Sequence, residues 1–139
     1  MTQIPPSDVI SVDLRVPFHD VDTLRVVWHG HYVKYLELAR IEYLRKKQLS
    51  IPELEAMGVM LMVTQTRVKH VSPLRDDDQF RVSARLVEHR VRLDFEFEVL
   101  NLTSKKRAAT GRSVLVALRL PSAELCLRIP DEIIRRLES

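Results

Sequence analysis

The chain has a single cysteine, Cys126, so no disulfide can form within it, which accords with a reducing compartment. No apolar run approaches the ~18 residues that a membrane-spanning helix needs. The opening Met-Thr-Gln-Ile-Pro-Pro-Ser-Asp lacks the basic and apolar stretches of a secretory signal, so the expected location is the cytoplasm. Charge of one sign is also missing. Against 19 Asp and Glu stand 22 Lys and Arg, and the net charge is only +3. The basic residues are scattered among acids, whereas a nucleic-acid binder gathers them on one face. A mild positive bias also suits a phosphate-bearing small molecule. No internal repeat, no low-complexity tract and no His-Glu-x-x-His spacing occurs, so neither metal nor cofactor is expected. The 139 residues are read as one domain, 1–139, able to bury a core without staples.

What is present is a strand, a long helix and then more strands. Val12, Leu14, Val16 and Phe18 alternate on one face of a predicted strand over 11–18. A helix is predicted from about Gly30 to Gln48, with Tyr32, Leu36, Ala39 and Tyr43 as its apolar stripe, flanked by Val33, Tyr35, Ile41 and Leu44. That face is wide enough to need wrapping. Arg45, Lys46 and Lys47 read as a solvated, dipole-compensating end. Ser50 and Glu53 resemble a capping box for a short helix over 51–57 ended by Gly58. Strands follow at 59–72, 80–87, 91–99 and 107–120, with a charged turn at 74–78. In the third of these, Val91, Leu93, Phe95, Phe97 and Val99 form a buried face against Arg92, Asp94, Glu96 and Glu98. The run Val114–Leu118 implies burial on both faces, and with the wide helix face it predicts a second subunit. Pro130-Asp131-Glu132 opens a terminal helix. Without strand–helix–strand alternation the class is α+β: a curved antiparallel sheet around one long central helix.

Chemistry concentrates in residues 18–42, where Asp20, Asp22, His19, His29 and His31 fall just before the helix start. Backbone N–H groups there are unpaired and partly positive, so they can hold a developing oxyanion. A nearby carboxylate can act as general base or nucleophile. Acyl transfer needs both.

Phe18, Asp20-Val21-Asp22, Val26-Val27-Trp28-His29, His31-Tyr32 and Glu37-Leu38-Ala39-Arg40 resemble, in order and spacing, the signature of the 4-hydroxybenzoyl-CoA thioesterase family, in particular its Tol–Pal-associated acyl-CoA thioesterase branch. Ser72-Pro73-Leu74-Arg75-Asp76 resembles that family's turn between two strands. The resemblance implies a hotdog fold, dimers or tetramers with sites at the subunit interface, and hydrolysis of an acyl thioester of coenzyme A or of a carrier protein. It implies Asp22 as the catalytic carboxylate and His29 as its partner at the helix start, with a main-chain N–H there polarising the carbonyl. Trp28 and Arg25 fall in the same segment as candidate substrate-binding residues. Arg90 and Arg92 lie on the hairpin that resembles the family's coenzyme-A phosphate contacts. Two positions depart from the pattern: Arg25 stands where most members have glycine, and Phe18 where many relatives have tyrosine. Asp20, His19 and His31 read as structural, Glu37 as an intrahelical partner of Arg40, and Cys126 as a small buried group. The alternative is a non-catalytic hotdog subunit that binds an acyl thioester or a partner.

Overall fold

The structure, a computed structural model, describes residues 8–139. Its elements are β1 (Val9–Arg15), a 3-10 turn (Phe18–Asp20), α1 (His31–Lys46), α2 (Ile51–Ala56), β2 (Val59–His70), β3 (Gln79–Glu88), β4 (Leu93–Asn101), β5 (Lys106–Arg119), β6 (Glu124–Leu125) and α3 (Asp131–Glu138). The strands form one sheet in the order β1-β3-β4-β5-β2, every neighbouring pair antiparallel, with β6 added to the end of β5. One long helix lies against this sheet, the expected α+β arrangement.

Period-two alternation places Phe80, Val82, Ala84 and Leu86 of β3 in the core, beside Phe95, Phe97 and Val99 of β4. The α1 stripe Tyr32, Leu36, Ala39 and Tyr43 is buried against them. Tyr35 tilts onto Phe80 and Tyr43 meets Phe95 edge-on, at ring-centroid distances of 4.8 and 5.3 Å. Each such ring or aliphatic side chain, fully buried, contributes roughly 1.5–3 kcal/mol. Gly111 lets the helix seat closely on β5, because a Cβ there would lie 2.6 Å from Leu36 Cδ1. Glu53 accepts from the Ser50 backbone amide at 3.2 Å and from its hydroxyl at 2.6 Å, so the reciprocal cap read at α2 is formed.

Several expectations are corrected. Phe18 is not on the buried face of β1; the strand ends at Arg15, and Phe18 sits in the 3-10 turn, 79% exposed. Pro17, which cannot donate to a ladder, lies between the two. Val91 precedes β4 and is 58% exposed. Asp94, expected on a wet face, is buried and held by Nε and Nη2 of Arg112, at 3.0 and 2.7 Å. Lys47 is not a solvated end: its ammonium is buried, paired with Asp8 and bonded to the Ser139 backbone oxygen at 3.0 Å. Val33 and Ile41, expected under cover, are exposed in this chain. Cys126 is half-buried rather than buried, packed at the edge of the core.

Candidate active site

The segment between the 3-10 turn and α1 is pinned by its own backbone. Asp22 N donates to Val26 O at 3.0 Å, Arg25 N to Asp22 O at 2.9 Å, and Trp28 N to Asp20 O at 3.1 Å. Val21 bridges Val27, and Val26 bridges Arg75 across the 74–78 turn. That turn is braced in its own right. The Asp78 carboxylate takes hydrogen bonds from Arg75 N and Asn101 Nδ2, at 2.9 and 2.8 Å. The two motifs singled out in the sequence therefore meet.

Asp22 is half-buried, and its Oδ1 accepts from Leu24 N at 2.9 Å. No other hydrogen bond reaches its carboxylate among the described residues. Gly30 stands at the cap just before helix α1; it adopts helical angles and gives no side-chain cap. The amides of His31 and Tyr32 turn back to the carbonyls of Trp28 and His29, at 3.0 and 3.3 Å. Those of His29 and Gly30 meet no acceptor among the described residues. Gly30 is needed for close approach, since a Cβ there would lie 2.1 Å from the Trp28 ring. Trp28 is thus laid across the helix start, its ring centroid 5.1 Å from His29 and 5.4 Å from His31.

Beneath this loop lies a buried charge. Asp20 is 1% exposed. It accepts from Tyr35 OH at 2.5 Å and from Lys34 Nζ at 3.1 and 2.9 Å, while His31 Nε2 stands 3.8 Å away. Burial pushes its pKa up, but the hydrogen bonds from Tyr35 and Lys34, with the charges of Lys34 and His31, outweigh that and hold it below the ordinary value. Burial, and then Asp20 itself, raise the Tyr35 hydroxyl. Asp20 is a clamp between loop and helix, the structural role read from the sequence.

The candidates divide. Asp22, Arg25, Trp28 and His29 share one loop. Arg25 is exposed, with φ 64°, and makes no ion pair among the described residues. Its guanidinium does not explain the departure from glycine, but its backbone explains why glycine is usual there. Arg90 is tied elsewhere: with His89 it holds Glu138 of α3, at 2.8 and 2.5 Å. Arg92 is exposed beside Arg67, Arg112 and Asp94 around a surface pocket of about 270 Å³. Asp94 and the α1-contacting Phe95 are adjacent on β4, so this pocket lies on the sheet face away from α1. Within one chain, Arg90 and Arg92 are therefore apart from Asp22. Glu37 stands 3.8 Å from Arg40, as read, and the buried Arg40 also donates to Ser113 Oγ at 3.1 Å. One participant was not foreseen. His70, at the end of β2, lies edge-on to Tyr32 at 4.7 Å and to His29 at 6.3 Å. No local motif marks it; only the pairing of β2 with β5 carries it to the helix start. Among the described residues no group of three or more His, Cys, Asp or Glu is placed to hold a metal ion. No helix there is long and apolar enough to cross a membrane.

Residues 16–137 match the thioesterase-like superfamily. The chain belongs to this family. It is 27% identical over 128 residues to the acyl-acyl carrier protein thioesterase ATL3 of Arabidopsis thaliana, covering 91% of this chain and 66% of that one. It is 34% identical over 77 residues to the acyl-CoA thioester hydrolase YbgC of Escherichia coli, covering 55% and 58%. A thioesterase of Thermus thermophilus, solved with coenzyme A and zinc, superposes with a TM-score of 0.76 at 29% identity, covering 92% of this chain and 90% of that one. The aligned stretches span only 58–71% of the length of the curated relatives that the chain matches. The fold is thus the hotdog fold of this thioesterase superfamily.

Proposed function

We propose that this protein hydrolyses an acyl thioester of coenzyme A or of a carrier protein, with Asp22 as the catalytic carboxylate. The observation that carries the reading is the pairing, in one short loop, of a half-buried Asp22 with the acceptor-free amides of His29 and Gly30 at the start of α1. The thioester carbonyl oxygen accepts from those amides. As water, or Asp22 itself, adds to the carbonyl carbon, negative charge moves onto that oxygen, and the amides and the helix end stabilise it. Asp22 takes the proton when water attacks; otherwise it forms a mixed anhydride that water then opens. Collapse of the tetrahedral centre expels the thiolate. Trp28 forms a wall beside the reacting carbonyl, and His29 orients the water or the carbonyl.

The likeness to YbgC, an acyl-CoA thioester hydrolase, favours coenzyme A as the thiol, and the residue pattern over 18–42 favours the Tol–Pal-associated branch as the subgroup. In a homodimer or homotetramer, Arg92 of one subunit would meet a coenzyme-A phosphate at the site of another. Arg25, at the loop tip, is a rim contact for the same thiol carrier. The test is thiol release from a panel of acyl-CoAs and acyl-carrier proteins, followed with a thiol dye. Turnover of at least one class that Asp22→Asn abolishes supports the reading; no release from any of them rejects it.

A further inference from the structure

A cavity of about 380 Å³ lies between α1, α2, β2 and β5, away from Asp22. Its size falls in the range of ligand pockets, about 300–1,000 Å³. Leu44, Leu54, Val59 and Leu115 form its buried floor, and Ile41 and Met60 its exposed rim. Here α1 steps along β5 one turn at a time: Leu36 on Gly111, Arg40 on Ser113, Leu44 beside Leu115. Leu36 sits so close on Gly111 that a Cβ would lie 2.6 Å from its Cδ1, and this contact shuts the cavity off from the helix start. The cavity is a separate site and not an extension of the candidate active site.

One wall is charged. Arg40 closes the Glu37-Leu38-Ala39-Arg40 motif, lines the cavity and is 9% exposed. No other basic side chain lines it among the described residues. A guanidinium carries five N–H donors. Among the described residues this one makes a single hydrogen bond, from Nη1 to the neutral Ser113 Oγ at 3.1 Å. The Glu37 carboxylate stands 3.8 Å from Nη2, beyond hydrogen-bond reach, on a side chain 47% exposed. A buried cation so weakly answered is costly. Burial lowers the Arg40 pKa, and the charge of Glu37 offsets that only in part. Arginine stays charged all the same, so the wall offers an anion a desolvated partner. Glu55, the acid at the cavity's edge on α2, is exposed and repels an anionic head from that end. The remaining lining is aliphatic except for Ser50, whose hydroxyl is held in the α2 cap.

We propose that this cavity binds a free aliphatic carboxylate, its head on the Arg40 guanidinium and its tail on the floor of Leu44, Leu54, Val59 and Leu115. Guanidinium and carboxylate match as a two-bond pair. Each methylene that enters strengthens binding about fourfold. An aromatic acid finds no ring there to stack on. The assignment goes beyond the hydrolase reading and does not depend on it. Where the acyl group of the thioester is aliphatic, the released acid is of this class and binds here without occupying the helix start.

Calorimetric titration of the whole chain with decanoate, hexanoate and 1-decanol tests this. Decanoate is expected to bind at least about tenfold more tightly than hexanoate, which lacks tail, and than 1-decanol, which lacks charge. Arg40→Met keeps the bulk and removes the charge, so it should weaken decanoate at least about tenfold and leave 1-decanol nearly unchanged. Ile41→Trp, at an exposed rim position, narrows the mouth and should weaken both, which keeps the test if Arg40→Met fails to fold. Trp28→Ala, at the helix start, should leave decanoate binding unchanged. No binding of decanoate overturns the proposal, including the case where a second copy of the chain fills the space. Equal binding of 1-decanol and decanoate overturns it too, as does decanoate binding that Trp28→Ala abolishes and Ile41→Trp leaves intact. None of these measurements needs turnover, so a failure to cleave thioesters rejects the hydrolase reading alone.

Discussion

Tyr35 donates its hydroxyl to the Asp20 carboxylate at 2.5 Å, and both side chains are buried beneath the loop that carries Asp22. With the Lys34 ammonium donating to both oxygens, this is a charged clamp between that loop and the start of α1. Its pKa is held below the ordinary 3.8, so its stabilisation is fully present above that value and is lost as pH falls through the lower folded value. Asp20→Asn is expected to cost about 1–3 kcal/mol at neutral pH. The gap to the parent protein should then narrow on acidification below pH 3.8. Urea midpoints at neutral pH and in acid check this, and an equal gap at both would contradict the charged clamp.

Asp22→Asn separates chemistry from structure. The amide oxygen can still accept from Leu24 N, so the turn is kept and the thermal midpoint should stay within a degree or two. The amide can neither take a proton nor attack. A fall in kcat of at least about 100-fold is expected. Circular dichroism and single-turnover assays on one preparation decide between this and a misfolded variant.

Arg25 occupies a left-handed conformation at φ 64°. That costs a non-glycine residue roughly 1–2 kcal/mol, while glycine gives back roughly 0.5–1 kcal/mol through its freedom when unfolded. Arg25→Gly should therefore raise stability slightly, by about 0.5–1 kcal/mol on this balance. If the guanidinium also contacts the thiol carrier, the Michaelis constant rises with turnover nearly unchanged. Calorimetry reads the first effect and steady-state kinetics the second; a lower midpoint would refute the strain argument.

The buried Tyr43 hydroxyl has no hydrogen-bond partner among the described residues, although its ring packs edge-on against Phe95. Burial raises its pKa, so it stays protonated. Tyr43→Phe keeps the ring contact and removes the unsatisfied group, and should stabilise the protein by about 1 kcal/mol. A urea midpoint that falls would show that the hydroxyl has a partner in solution.

Where a signal was local, the sequence carried it. The α1 stripe of Tyr32, Leu36, Ala39 and Tyr43, the alternation in β3, and the Ser50–Glu53 cap depend on residues a few places apart, and each formed as read. Phe18 misled because alternation continued past Pro17, where the strand could not. Lys47 and Asp94 read as solvent-facing because their partners, Asp8 and Arg112, come from distant parts of the chain. His70 was silent for the same reason. The Asp20–Val21–Asp22 spacing put both acids near the helix start, but only the fold distinguishes the buried clamp at Asp20 from the half-buried carboxylate at Asp22.

Strand β2 closes one side of the sheet, and no described strand pairs with its outer edge. That edge is a row of unmatched amides and carbonyls, a template on which any extended chain can lie down. Its two halves are not equally guarded. Near the bulge between Val63 and Gln65 and beyond it, Arg67 and Lys69 repel a second copy brought alongside. Met60, Met62 and Val63, all exposed, carry no such charge. During refolding, the first half of β2 is thus the place where chains stick to one another. Recovery of native protein should fall as protein concentration rises, and a lysine at Met62 should restore it.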